Sequence, residues 1–322
     1  MSRIRVGVVR GGVGHEYDVS LDTGGNVLRN ISRDKYEPYD ILITKDGTWH
    51  INGIPVSVER VGNTVDVVFN ALHGEYGEDG KIQQTLHAFG IPYTGSTPFA
   101  SAVGMNKALA KNYFSRAGIK TPLGLVVKRG DDVEAAALNV FRKLPPPYVV
   151  KPLTSGSSVG LSLTRTVDGL ITALEYALKY SPSVLIEEYI KGKEITCGVI
   201  DSLDHDQSHA THLVEIVLPE GMDVFHHSLK HSDAVQRISP ARLSDSEREI
   251  LQALAIRAHR GIGMRHYSVA DFIVSPRGIY LLEVNSLPGL TDTSLLPLAL
   301  ASADLSLGEF INHVLTLALN KK

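Results

Sequence analysis

Short apolar runs alternate with helix-spaced apolar positions through the first hundred residues. Ile4 to Val9 reads as a strand, Val19 to Ile31 as a helix, Tyr39 to Thr44 and Val65 to Asn70 as strands, and Lys81 to Phe89 as a helix. This alternation predicts βαβ units on a parallel sheet. Thr94-Gly95-Ser96-Thr97-Pro98 marks a boundary, so residues 1–97 are expected to form an α/β domain. From Phe99 to Ala117 the pattern is helical, with Gly118 ending it and Pro122 beyond. Tyr148 to Lys151 and Val184 to Tyr189 read as strands, with Pro145-Pro146-Pro147 a stiff lead-in to the first. Gly192 marks a second boundary, which gives a smaller α+β unit over 98–190 and a further one over 191–322. Strands are predicted there at 194–200, 212–218, 267–274 and 279–285. Ser244-Asp245-Ser246-Glu247 supplies a capping box for a helix to about His259, and Leu307 to Leu319 closes the chain as a helix.

Ser275-Pro276-Arg277-Gly278 is turn chemistry between two apolar β runs, so 268–274 and 278–285 should pair as an antiparallel hairpin. Folding about Arg277 sets Asp271 beside Glu283, and the two-residue period of a strand puts Glu283 and Asn285 on one face. Two carboxylates and a carboxamide are hard oxygen ligands that suit Mg²⁺, with Mn²⁺ the alternative ion. Both acids sit in apolar runs, where an unpaired charge is costly. A nucleotide is the natural partner of such a site.

At 322 residues the chain exceeds the size of one growing core, in keeping with three units. Hydrophobic residues at 43% and charged residues at 21% describe an ordinary globular protein. A net charge of −3 gives no nucleic-acid or anionic-membrane surface, and no run approaches membrane-spanning length. Cys197 is the only cysteine, which excludes an internal disulfide and fits a reducing, cytoplasmic setting. It reads as strand core rather than as a nucleophile.

Gly11-Gly12-Val13-Gly14 lacks the third glycine of a dinucleotide fingerprint, because Tyr17 stands there. Glu16 in the same loop lies at the carboxyl end of a parallel strand, where open α/β sheets bind ligands. His73, after the strand ending at Asn70, reads either as a substrate hydrogen-bonding group or as a turn histidine. Gly80-Lys81 fails the phosphate-loop spacing. Lys151, ending a buried strand before Gly156-Ser157-Ser158-Val159-Gly160, supplies a point charge and small residues whose N–H groups can approach phosphate. Lys107 is a candidate second cation. Glu187-Glu188-Tyr189 followed by Glu194 reads as a hinge strand along an adenosine pocket. His205, His209 and His212 fall in a polar turn and are not read as a zinc site.

These segments, from Glu16 through His73–Gly80, Tyr93–Ser96, Met105–Lys107, Lys151–Gly160 and Glu187–Glu194 to Glu283–Thr291, run in the order found in D-alanine–D-alanine ligases. The chain resembles that family, of the ATP-grasp superfamily, over nearly its whole length. The resemblance implies ATP as cofactor with two Mg²⁺, D-alanine as substrate, a peptidoglycan precursor as product and a homodimer. It implies that Glu16 holds the first amino group, in a hydrogen-bonded set with Ser157. Lys107, Lys151 and Ser158 would contact phosphates, and Glu187, Tyr189 and Glu194 the adenosine. Asp271, Glu283 and Asn285 would carry the metals, Gly289 and Lys230 would serve the oxyanion and phosphate, and Ser294 with Leu295 the second substrate.

Two positions depart from the family pattern. Val269 stands where the family has an arginine two residues before the strand aspartate, and His231 replaces the tyrosine that follows Lys230. Arg237 and Arg265 are candidates to compensate for the first. The departures leave two further readings: a ligase with a hydroxy-acid or other acceptor, and an ATP-binding protein with impaired turnover.

Overall fold

The computed structural model describes residues 3–156, 159–204, 206–222 and 234–320. The chain opens with β1 (Ile4–Gly11), α1 (Tyr17–Asn30) and β2 (Tyr36–Ile43), then a small hairpin of β3 (Trp49–Ile51) and β4 (Ile54–Val56). α2 (Val58–Thr64), β5 (Val67–Asn70), the single turn α3 (Gly74–Gly77) and α4 (Lys81–Ala88) follow. The sheet order is β4-β3-β2-β1-β5, with β1 parallel to both β2 and β5 as the alternation predicts. β1 is central and covered on both faces, which is why Val6, Val8 and Val9 are all fully buried. β2 begins at Tyr36 rather than Tyr39 because its pairing with β1 starts at Ile4 opposite Tyr36. The β3/β4 hairpin was not predicted. Its strands are three residues long, but Asn52-Gly53, both at positive φ, is the hairpin dipeptide that could have announced it.

The next stretch contains α5 (Pro98–Met105), α6 (Lys107–Arg116), β6 (Gly124–Lys128), α7 (Val133–Lys143), β7 (Tyr148–Pro152), β8 (Ser162–Thr164), α8 (Val167–Ala177) and β9 (Ser183–Glu188). Here the one helix predicted over Phe99 to Ala117 is two. Asn106 adopts an extended conformation, ends α5 and caps α6, its side chain accepting the Leu109 N–H at 3.1 Å. The four strands form an antiparallel sheet in the order β6-β9-β7-β8, with α7 and α8 packed on it. Ala100, Val103, Ala110 and Phe114 of α5 and α6 instead join the core of the following sheet.

That last sheet runs β12-β11-β10-β13-β14 and is antiparallel throughout. It is built from β10 (Lys193–Asp201), β11 (Ser208–Val217), β12 (Gln236–Ile238), β13 (Tyr267–Ser275) and β14 (Gly278–Asn285), backed by α9 (Asp245–Ile262). The capping box predicted for α9 is present, with Ser244 and Glu247 bonded reciprocally. The β13/β14 hairpin pairs Asp271 with Glu283 as expected, and a bulge after Asp271 leaves Leu282 as the extra residue. Cys197 is fully buried in this core, and burial pushes its thiol up to about 12, so it is no nucleophile. α10 (Leu295–Ala301) follows, and α11 (Leu307–Leu319) returns to pack against the first sheet, where Phe310, Ile311 and Val314 meet Val6, Val8 and Phe69. On β11, His209 is exposed and His212 Nδ1 lies 3.1 Å from Ser302 Oγ, while His205 lies outside the described residues.

Candidate active site

All three sheets contribute to one cavity of about 570 Å³. Glu16 is the N-cap residue of α1 and reaches it from the end of β1. His73 and Glu78 reach it from beyond β5, and one ligating atom from each of Glu16, His73 and Glu78 lies within 4.8 Å of the others. Both ring nitrogens of His73 are engaged. Nδ1 stands 3.0 Å from the Leu287 carbonyl oxygen and must carry the proton, and Nε2 lies 2.8 Å from Thr23 Oγ1. The trio therefore lacks a free imidazole lone pair for a metal. Glu78, 7% exposed, accepts the Gly74 N–H at 2.8 Å and the Leu287 N–H at 3.3 Å. Burial, reinforced by the charge of Glu16, pushes its carboxyl up to about 8. Gly74 lies at φ +63°, and a Cβ there would come 3.0 Å from the Glu16 carboxyl.

Lys107 and Lys151 also line the cavity. Lys107, the first residue of α6, places Nζ 3.1 Å from Glu283 Oε2 and 2.6 Å from the Ser155 carbonyl oxygen. Lys151, near the end of β7, pairs with Glu187 Oε2 at 2.6 Å, and Lys111 takes the other oxygen of the same carboxylate. Burial alone would raise the Glu187 carboxyl, but the two ammonium groups outweigh it and hold the acid below its ordinary range. Burial lowers Lys111, whereas Lys151 is buried but held up by Glu187 and Glu283. Lys111 was not singled out in the sequence. Its signal is spacing, since a residue four after Lys107 shares its helix face.

Asp271, Glu283 and Asn285 converge from β13 and β14 as the register predicts. Asp271 accepts from Thr196 Oγ1 at 2.6 Å and from Asn285 Nδ2 at 3.1 Å. A half-turn of that amide would present its oxygen instead. With that rotation the three groups offer an all-oxygen donor set, and Lys107 on Glu283 already marks a position for positive charge. The chemistry of the residues fits a hard divalent cation.

Tyr189 and Glu194 line the cavity beside Lys151 and Glu187, while Gly289, Ser294 and Leu295 line it at the loop after β14. Gly289 is compact by necessity, because a Cβ would lie 2.8 Å from Ser294 Oγ. Ser294 accepts the Thr291 N–H at 3.0 Å. Val269 also faces the cavity, 4% exposed and clustered with Leu287, Leu290 and Leu296. Of the two arginines considered as substitutes, Arg237 lines the cavity, whereas Arg265 lies over the Tyr93 ring at 6.0 Å and does not. Ser157, Ser158, Lys230 and His231 lie outside the described residues.

Residues 113–316 match the profile of the D-ala D-ala ligase C-terminus, and residues 5–59 and 53–96 match that of the D-ala D-ala ligase N-terminus. A D-alanine–D-alanine ligase of Syntrophobacter fumaroxidans is 37% identical over 98% of this chain and 98% of its own. The chain belongs to the D-alanine–D-alanine ligase family. Another member of the family, from Geobacter sulfurreducens, is 37% identical over 97% of this chain and 93% of its own. Among solved structures, VanG D-Ala:D-Ser ligase from Enterococcus faecalis superposes with a TM-score of 0.86 at 29% identity, covering 98% of this chain and 100% of its own. The D-alanine–D-alanine ligase from Bacillus anthracis complexed with ATP gives 0.82 at 28% identity, covering 98% and 97%. The fold expected of a ligase of this family, a parallel-containing sheet followed by two α+β units, is the fold observed.

Proposed function

We propose that this chain joins two D-alanine molecules at the expense of ATP. The γ-phosphoryl group of ATP passes to the carboxylate of the first D-alanine and releases ADP. The amine of the second then attacks that acyl phosphate, expelling inorganic phosphate and losing a proton. The observation that carries this reading is the convergence in one cavity of an acidic corner, a lysine pair and an oxygen trio. Preorganised charge of this kind is what phosphoryl and acyl transfer need.

In this reading Glu16 holds the first ammonium group, with Ser157 and His73 supporting it. Lys107, Lys151 and Ser158 hold phosphate oxygens, and Tyr189, Glu187 and Glu194 border the adenosine. Asp271, Glu283 and Asn285 would hold Mg²⁺, which supplies charge neutralisation of the phosphates when bound. The Gly289 N–H and Lys230 would stabilise the developing oxyanion, and Ser294 and Leu295 would receive the second substrate. We extend the reading to synthesis of a peptidoglycan precursor in the cytoplasm, where ATP is available. Among the described residues no helix is long and apolar enough to cross a membrane.

A second reading keeps the ATP chemistry and changes the acceptor or slows turnover. The change of acceptor is prompted by His231 in place of the family's tyrosine, and the slower turnover by Val269, an apolar side chain where a charge-stabilising arginine is the family pattern. Phosphate release from ATP with a panel of D-amino and D-hydroxy acids separates the two. Release with D-alanine alone, yielding the dipeptide, supports the first, and release only with another acceptor replaces it. ATP binding without release under any condition leaves an ATP-binding protein.

A further inference from the structure

The loop that carries Gly289 is held by the N-terminal unit. Four main-chain groups of this loop bond to side chains more than two hundred residues away in sequence. The Leu287 N–H donates to Glu78 Oε1 at 3.3 Å, and His73 Nδ1 donates to the Leu287 carbonyl at 3.0 Å. The Leu290 N–H donates to Thr23 Oγ1 at 3.5 Å, and Asn26 Nδ2 donates to the Leu290 carbonyl at 2.6 Å. Both main-chain groups of both residues are thus engaged, two residues before and one after Gly289.

Thr23 and His73 link these bonds into one chain. Because the Leu287 carbonyl can only accept, His73 Nδ1 carries a proton. Nε2 lies 2.8 Å from the Thr23 hydroxyl, whose oxygen accepts the Leu290 N–H; in the neutral tautomer the hydroxyl donates to Nε2. Thr23 and Asn26 are buried and, unlike His73 and Glu78, do not line the cavity. They lie three residues apart on one face of α1, the helix whose N-cap residue is Glu16. One rigid element therefore carries both the acid at the substrate corner and the groups that hold the Gly289 loop.

We propose that Thr23, Asn26, His73 and Glu78 are positioning residues that set the Gly289 N–H at a fixed distance from a substrate held at Glu16. The inference rests on the ligase reading above. Helix α1 acts as the ruler, and Thr23 and Asn26 act only through the loop.

Thr23→Val and Thr23→Ser in the full chain, assayed with D-alanine and Mg·ATP, test this. Valine matches threonine in shape and removes both hydrogen bonds, whereas serine keeps both. Thr23→Val should lower kcat by about 10–100-fold, as a small misplacement of a reacting group does, with the KM for ATP within about twofold of the parent. Thr23→Ser should recover kcat to within about threefold. Asn26→Asp, which sets a carboxylate oxygen against the Leu290 carbonyl, should give the same split and serves if Thr23→Val does not fold. A folded Thr23→Val or Asn26→Asp protein with parental kcat overturns the proposal while leaving the ligase reading intact. A parent protein with no turnover on any acceptor overturns both.

Discussion

Glu187 offers the strongest test of how the cavity is held together. Its carboxylate is 2% exposed and is shared by Lys151, at 2.6 Å, and Lys111. At that separation and an effective dielectric of about 20, a single contact is worth roughly 6 kcal/mol before desolvation is subtracted. Glu187→Gln keeps the shape, leaves one neutral acceptor and turns an N–H donor toward an ammonium group. Removing one partner of a buried pair costs about 3–5 kcal/mol, because the remaining charge stays buried without compensation. The retained carbonyl places the expected loss near the lower end, about 3 kcal/mol. Urea unfolding followed by circular dichroism at pH 7 should show it as a lower midpoint with an unchanged slope. The pH dependence gives a second check. The folded Glu187 carboxyl lies below its ordinary value of 4.5, so its stabilisation is fully present above that value and is lost as pH falls through the folded one. Parent and variant should therefore converge in acid. Adding Lys111→Met to Glu187→Gln should recover part of the loss by removing the surplus cation. A loss below about 1 kcal/mol at pH 7, or a gap that does not narrow in acid, would refute the reasoning.

Val269→Arg should raise turnover at least about tenfold, or about 1.4 kcal/mol of barrier, at a stability cost of about 1–3 kcal/mol from overpacking. A folded variant that binds ATP and is no faster would mean another group already does the arginine's work. Glu283→Gln should weaken Mg·ATP binding at least about tenfold, since outer-shell partners of metal ligands alone are worth about 10–100-fold; unchanged affinity and turnover would remove Glu283 from the metal set. Glu78, with its carboxyl raised to about 8, binds a proton in the folded state that the unfolded chain releases near 4.5, so stability falls as pH rises between those values. Ligand-free protein should be less stable at pH 8 than at pH 6 by about 2 kcal/mol, and Glu78→Gln should remove most of that difference in urea titrations.

The β13/β14 hairpin was legible because two continuous apolar runs flank a Ser-Pro-Arg-Gly turn, and its register then brought Asp271, Glu283 and Asn285 together. The break at Asn106 was not, because the apolar spacing continues through it and only the extended backbone of Asn106 shows the capping role. Strand β6 escaped notice for a different reason. It is an edge strand with alternate residues exposed, and it carries no turn dipeptide comparable to Asn52-Gly53. In the site, Glu78 sits within Gly-Glu-Asp-Gly, which reads as a solvated turn, and the partner that buries it, Leu287, is 209 residues away. Long-range burial of this sort has no local periodicity to reveal it. Val269 was recognisable as a departure, but only the coordinates separate Arg237, at the cavity, from Arg265, which is not.

The bend at Asn106 makes Lys107 the first residue of a helix. A helix N-terminus carries about half a positive charge, so an ammonium group there is opposed by the helix that bears it. Glu283, at 3.1 Å, offsets that opposition. Under the proposed function, dipole and lysine would attract a phosphate together, and Glu283 would then be available to hold a metal. Nucleotide and metal would thus share Lys107 and Glu283, which pair with each other at 3.1 Å. If so, each should bind more tightly in the presence of the other, a cooperativity written into where one helix ends and the next begins.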